Sequence, residues 1–129
     1  MSNSSAPIVV IEDNAPIRKL FATILSKAGY EVIEFSDGNS ALEALPTQAV
    51  STIIMDILLP DINGTDLIGK VRDLDDCKDI PIIAVTGFAQ SQDREKFLGF
   101  GFDAYISKPI NTSAFVEEIN QIRSGKLGS

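Results

Sequence analysis

The chain has 129 residues, enough for one domain whose core needs neither disulfides nor metals to hold it. Its composition, 44% hydrophobic and 22% charged, is that of a soluble domain. The net charge of −7 argues against nonspecific binding to nucleic acid, which takes a surplus of Lys and Arg.

Residues 1–6 of MSNSSAP have neither a basic nor an apolar signal region, and read as a flexible leader. Ile8 to Ile11, within PIVVIED, form a continuous apolar run. That run suits a central strand of a parallel sheet, ending at Glu12 and Asp13. Ile17, Leu20, Phe21, Ile24, Leu25 and Ala28 then recur at helical spacing. Asn14 or Asp13 can cap this helix, Pro16 is tolerated in its first turn, and Gly29 can end it. YEVIEF alternates and reads as a strand nearer an edge. SDGNSALEALP gives a short helix closed by Pro46. STIIMD is the next buried strand. GTDLIGKVRDL reads as a helix with Leu67, Ile68, Val71 and Leu74 on one face.

Cys77 follows in a loop as an unreactive thiol. Pro81 introduces IIAVTG, an apolar strand ending in Thr86. SQDREKFLGFG looks helical, with Gly101 as its stop and with Phe97, Phe100 and Phe102 as core and flank packing. DAYIS is a short strand leading to Lys108 and Pro109. NTSAFVEEINQIRSG closes the domain as a helix with Phe115, Ile119 and Ile122 facing in. Strand and helix alternate five times over residues 7–124, which argues for an α/β domain: a parallel sheet with helices on both faces. Residues 125–129 are small and polar, and read as a disordered tail or a cloning remnant.

A single cysteine allows no intrachain disulfide, and no apolar run is long enough to span a membrane. Both features favour the cytoplasm. Histidine is absent, which removes His-ligated metal sites, Ser-His-Asp triads and any role as a histidine phosphodonor. Neither GxxxxGK(S/T) nor GxGxxG occurs.

In IIMDILLPDINGTDL, Asp56 lies between two apolar runs. An unpaired buried carboxylate is costly, so Asp56 reads as the end of a buried strand that opens onto a site. The other apolar strands end at Glu12 and Asp13, at Thr86, and just before Lys108. Ligands of open α/β sheets bind outside the carboxyl ends of the strands. Each residue has a plain alternative: Asp13 as a helix cap, Thr86 as a β-former, Lys108 as a solvated surface lysine. The coincidence over four strands favours a shared site. Two like charges about 4 Å apart repel by roughly 4 kcal/mol at an effective dielectric of about 20. A hard divalent cation relieves that repulsion, and Mg²⁺ is the common intracellular choice. With a lysine and a hydroxyl beside it, such a site suits a phosphoryl group on an aspartate.

IVVIEDN, IIMDILLPDINGTDL, IIAVTGFA and AYISKPI together resemble the response-regulator receiver domain of two-component signalling. AVTGFA and AYISKPI are also similar to small stand-alone regulators of the bacterial cell-cycle type. The resemblance implies a flavodoxin-like five-stranded sheet of order 2-1-3-4-5. It implies that Asp56 is the phosphoacceptor. Mg²⁺ would be held by Asp13, Asp56 and the backbone carbonyl of Leu58, with Glu12 acting through a metal-bound water. Lys108 would pair with the phosphoryl oxygens, and its bond to Pro109 would be cis. Thr86 would close onto the phosphoryl group and Tyr105 would swing inward after it. Leu58 and Phe88 would overhang the phosphoryl group and slow its loss. Glu12 in place of the more usual aspartate, and Gly87 in place of alanine, are the departures.

The implied partners are a histidine kinase or phosphotransfer protein, and a downstream protein met by the face of the fourth helix, fifth strand and fifth helix. Nucleic acid and membrane are not expected as partners, the chain would be a monomer or weak dimer, and it would signal rather than turn over a substrate. A receiver excised from a hybrid histidine kinase is an alternative origin. A Mg²⁺-dependent phosphatase with an aspartate nucleophile would need an acid where Leu58 stands. A flavodoxin-like carrier would need a phosphate loop where Glu12 and Asp13 stand.

Overall fold

The structure is a computed structural model that describes residues 6–74, 77–87, 99–108 and 110–124. Its strands are β1 (Ile8–Ile11), β2 (Val32–Phe35), β3 (Thr52–Asp56), β4 (Ile82–Thr86) and β5 (Ala104–Ser107). All neighbouring pairs are parallel and the order is β2-β1-β3-β4-β5. Among the described residues the helices are α1 (Ala15–Lys27), α2 (Gly38–Ala44), a 3-10 turn (Leu45–Thr47), α3 (Gly64–Arg72) and a C-terminal helix (Phe115–Arg123).

Strand alternation deals the apolar runs to two cores. Val9, Ile11, Ile53, Met55, Ile82 and Ala84 pack with α2 and α3. Ile8, Val10, Ile54, Ile83 and Val85 pack with α1 and the C-terminal helix. This is why β1, β3 and β4 are apolar at successive positions: both faces are covered, and every residue of these strands is buried. β2 lies at one edge, as expected from its sequence, with each residue only half-buried. On the α1 side, Phe21 and Phe115 stack with centroids 5.1 Å apart, and Ile119 and Ile122 are buried as expected. The Arg123 guanidinium lies over the Tyr30 ring at 4.7 Å, and the Tyr30 hydroxyl bonds Asn120.

Asn14 caps α1 by accepting the Ile17 amide at 2.9 Å. Gly29 follows at φ 101° and Gly101 stands at φ 114°, both in the left-handed region. α1 departs from expectation at two positions. Leu20 is 40% exposed and Ala28 is exposed, while Ala22 is buried in their stead. The inward stripe is narrower than the apolar pattern, because Phe21 and Leu25 fill the space against the C-terminal helix. Phe102 is buried and Phe100 is exposed. Cys77 is buried in the core cluster.

Gly99 is helical and ends at the Gly101 turn, but most of the helix expected over SQDREKFLGFG lies outside the described residues. So do Phe88, Phe97, Pro109, residues 1–5 and residues 125–129. Among the described residues no helix is long and apolar enough to cross a membrane.

Candidate functional site

β1 and β3 are neighbours at the point where strand order reverses, and their carboxyl ends open a crevice there. Asp56 is the last residue of β3, and Glu12 and Asp13 follow β1 directly. One carboxylate oxygen from each of the three lies within 4.8 Å of the others. Glu12 is 1% exposed, Asp56 7%, and Asp13 reaches solvent. Like charges this close need a cation.

Lys108 supplies one, carried in by the chain just after β5. Its amide donates to the Thr86 carbonyl at 2.9 Å, which seats the lysine beside β4. Its Nζ donates to Asp56 Oδ2 at 3.2 Å and lies 2.8 Å from Glu12 Oε1. The second contact is a close ion pair, so the one ammonium is shared between Glu12 and Asp56. The other Glu12 oxygen accepts the Asn14 amide at 3.1 Å.

Burial pushes the Glu12 carboxyl up to about 7 and Asp56 adds to the rise, against the opposing pull of Lys108 and the Asn14 amide. Burial alone would lower the Lys108 ammonium, but its contacts with Glu12 and Asp56 outweigh burial and raise it. One ammonium against three acids leaves the cluster short of positive charge. Three carboxylate oxygens within 4.8 Å of one another, two of the acids buried, fit a hard divalent cation. Glu12, Asp13 and Asp56 are the residues that could hold it.

The loop after β3 is shaped by its glycine and its acid. The Leu58 amide donates to Asp56 Oδ1 at 3.2 Å, and Leu58 is 52% exposed. Leu58 bridges Asn63, and the Gly64 amide donates to Ile57 O at 2.7 Å. A Cβ on Gly64 would lie 2.8 Å from Ile57 Cα and 3.0 Å from Asp56 O, so only glycine lets α3 start this close. Asp61 accepts the amides of Gly38 and Asn39 at 3.0 and 2.8 Å, which ties the loop to α2. The Gly38 bond first, helped by that of Asn39, lowers the Asp61 carboxyl below its usual value.

Thr86 is buried at the end of β4, one residue past Val85, which pairs with Asp56. Tyr105 lies on β5 beside Ala84 and packs half-buried against the α2–α3 core. Glu12, Asp13, Asp56 and Lys108 are thus in direct array, Leu58 and Thr86 are adjacent in the chain or the sheet, and Tyr105 is further back along β5. Sequence reasoning passed over Arg18, whose Nη1 donates to the Glu12 carbonyl at 2.8 Å. In sequence it looks like an ordinary cation on an exposed helix face.

The response regulator receiver domain family matches residues 8–120. The polar-differentiation response regulator DivK of Brucella anthropi is 38% identical over 112 residues, which cover 87% of this chain and 91% of that one. A receiver domain protein from Methanospirillum hungatei superposes with a TM-score of 0.83 at 30% identity, over 94% of this chain and 95% of its own. The receiver domain of a sensor histidine kinase from Pseudomonas aeruginosa gives 0.80 at 30% identity, over 97% and 99%. That structure has a magnesium ion coordinated in its active-site cleft.

Proposed function

This chain belongs to the response regulator receiver domain family, and on that footing we propose that Asp56 accepts a phosphoryl group and thereby switches a protein-binding face. Receiver domains are signalling domains that meet histidine kinases or phosphotransfer proteins, and downstream partners. The donor is a phosphohistidine outside this sequence, which has no histidine of its own. The setting is the cytoplasm.

Transfer is a displacement at phosphorus. An Asp56 carboxylate oxygen forms the new P–O bond while the P–N bond of the phosphohistidine breaks, its electron pair staying on the imidazole nitrogen. Glu12, Asp13, Asp56 and the Leu58 carbonyl would hold Mg²⁺. Bound there, Mg²⁺ supplies positive charge for the phosphoryl oxygens and lets the acids stay ionised together. Lys108 releases its contact with Asp56 Oδ2 as that oxygen or its neighbour is esterified, and pairs with the phosphoryl oxygens instead. The Thr86 hydroxyl donates to another phosphoryl oxygen. Tyr105 fills the space that Thr86 leaves, which carries the change to the face of β5, the C-terminal helix and the helix predicted from SQDREKFLGFG. Leu58, exposed two residues past Asp56, limits access of water to the product.

The observation that carries this reading is Asp56 at 3.2 Å from Lys108 Nζ, with two further carboxylates within 4.8 Å. Incubation with a small phosphodonor and Mg²⁺ should add one phosphoryl group by intact mass, and Asp56→Asn should prevent it. Undiminished labelling of the Asp56→Asn protein would refute the assignment.

A further inference from the structure

Arg18 sits in the second turn of α1, and its guanidinium turns back over the end of β1. Nη1 donates to the Glu12 carbonyl at 2.8 Å. Nε lies 3.4 Å from Glu34 Oε1 on β2, and Lys19 Nζ bonds the other Glu34 oxygen at 3.1 Å. The Arg18 side chain is 16% exposed, so the guanidinium is largely enclosed. The Glu12 amide, for its part, donates to Phe35 O at 3.0 Å. Both backbone polar groups of Glu12 are therefore committed, one to strand β2 and one to Arg18.

The carbonyl Arg18 holds belongs to the peptide between Glu12 and Asp13. That unit is planar, so fixing its oxygen fixes the direction in which the chain delivers Asp13. Asp13 is the exposed member of the acidic trio and lacks the packing that holds Glu12 and Asp56. Glu34 matters because it balances the guanidinium. With that balance Arg18 bonds the carbonyl, and without it the cation is free to collapse onto the carboxylates and compete for their site.

We propose that Arg18, held by Glu34, is a positioning residue of the acidic site: it locks the Glu12–Asp13 peptide and so sets the Asp13 carboxylate for a divalent cation. The proposal rests on the reading of that trio as a Mg²⁺ site.

Its test is Mg²⁺ affinity by calorimetry with no phosphodonor present, together with amide hydrogen exchange of the metal-free protein. The variants are Arg18→Met, Arg18→Lys and Glu34→Gln. Groups that orient metal ligands typically cost tenfold or more in affinity when removed, so Arg18→Met should weaken Mg²⁺ binding about tenfold. Arg18→Lys should recover part of the loss, and Glu34→Gln, which keeps Arg18 and so guards against a folding failure of the other variants, should weaken binding less than Arg18→Met. In metal-free Arg18→Met the Asn14 amide should exchange faster while the β3 amides keep their rates. Wild-type affinity in both Arg18→Met and Glu34→Gln overturns the proposal, as does faster exchange spread evenly over β1, β3 and β4 with affinity unchanged. A wild-type chain that takes no Mg²⁺ overturns the cation reading and this proposal with it; a wild type that binds while the variants match it overturns the role of Arg18 alone.

Discussion

Glu12 is buried with one oxygen 2.8 Å from Lys108 Nζ, and burial lifts its carboxyl from 4.5 to about 7. The folded chain therefore holds a proton that the unfolded chain has already lost between those values. The stability this contributes is fully present below 4.5 and is lost as pH rises through about 7. Metal-free protein should lose stability over that interval relative to Glu12→Gln, which cannot ionise. Mg²⁺ competes with the proton, so its addition should raise the melting temperature more at about pH 8 than at about pH 5. A Mg²⁺ shift that is equal at both would refute this account of Glu12. Leu58 offers a second test at this scale. Its exposed apolar side chain follows Asp56 by two residues, and on the proposed shielding role Leu58→Asn should shorten the half-life of the phosphorylated protein. An unchanged half-life would remove Leu58 from the shielding of Asp56.

β3 and its following loop show what a single element does for the site. The strand aims Asp56 from a buried sheet, and Gly64 lets α3 begin against the backbone of Asp56 and Ile57. Gly64→Ala sets a methyl group 2.8 Å from a main-chain carbon that cannot yield. It should cost about 1–3 kcal/mol in denaturant unfolding and slow phosphorylation as well, because the displaced backbone carries Asp56 and Leu58. Wild-type stability would mean that the loop has slack. At the opposite end of the sheet Arg72 staples α3 to the chain around it. It donates to the carbonyls of Cys77, Lys78, Ile80 and Gly101 and pairs with Asp103 at 2.8 Å.

The strands were legible because double-sided burial writes an unbroken apolar run, as in Ile53 to Met55, and edge position writes alternation, as in Val32 to Phe35. α1 was legible only in part. Leu20 fits the helical period but falls beside the inward stripe, and periodicity cannot see where a neighbouring helix stops. Asp56, Glu12, Asp13 and Lys108 were legible as acids and a cation breaking apolar runs. Arg18, Glu34 and Asp61 were not, because each acts across elements through a backbone group, which leaves no pattern along the chain.

Across the whole molecule, a charge added at one edge of the sheet has to be read at a surface. The net charge of −7 argues against nonspecific nucleic-acid binding, and the proposed reader is a protein. Thr86 ends β4 and Tyr105 lies on the adjoining β5, paired with Ala84 two residues before Thr86, and the proposed switch runs between these two strands. Beryllofluoride with Mg²⁺ should produce amide shifts that extend beyond the acidic site through residues 86–106. Tyr105→Ala should weaken binding of the downstream partner more than it slows phosphorylation. Shifts confined to α1 and α2, or equal losses in both activities, would remove this face from the account.

All of this depends on which carboxylate takes the phosphoryl group, since Glu12, Asp13 and Asp56 share one pocket. Borohydride reduces an acyl phosphate on an aspartate to homoserine, which stays in the chain as a permanent mark. After incubation with a small phosphodonor and Mg²⁺, reduction and peptide sequencing should find homoserine at position 56 and an unaltered acid at 12 and 13. Homoserine at 13, the reduced side chain of glutamate at 12, or no reduced residue at all in protein shown to be labelled, would contradict it.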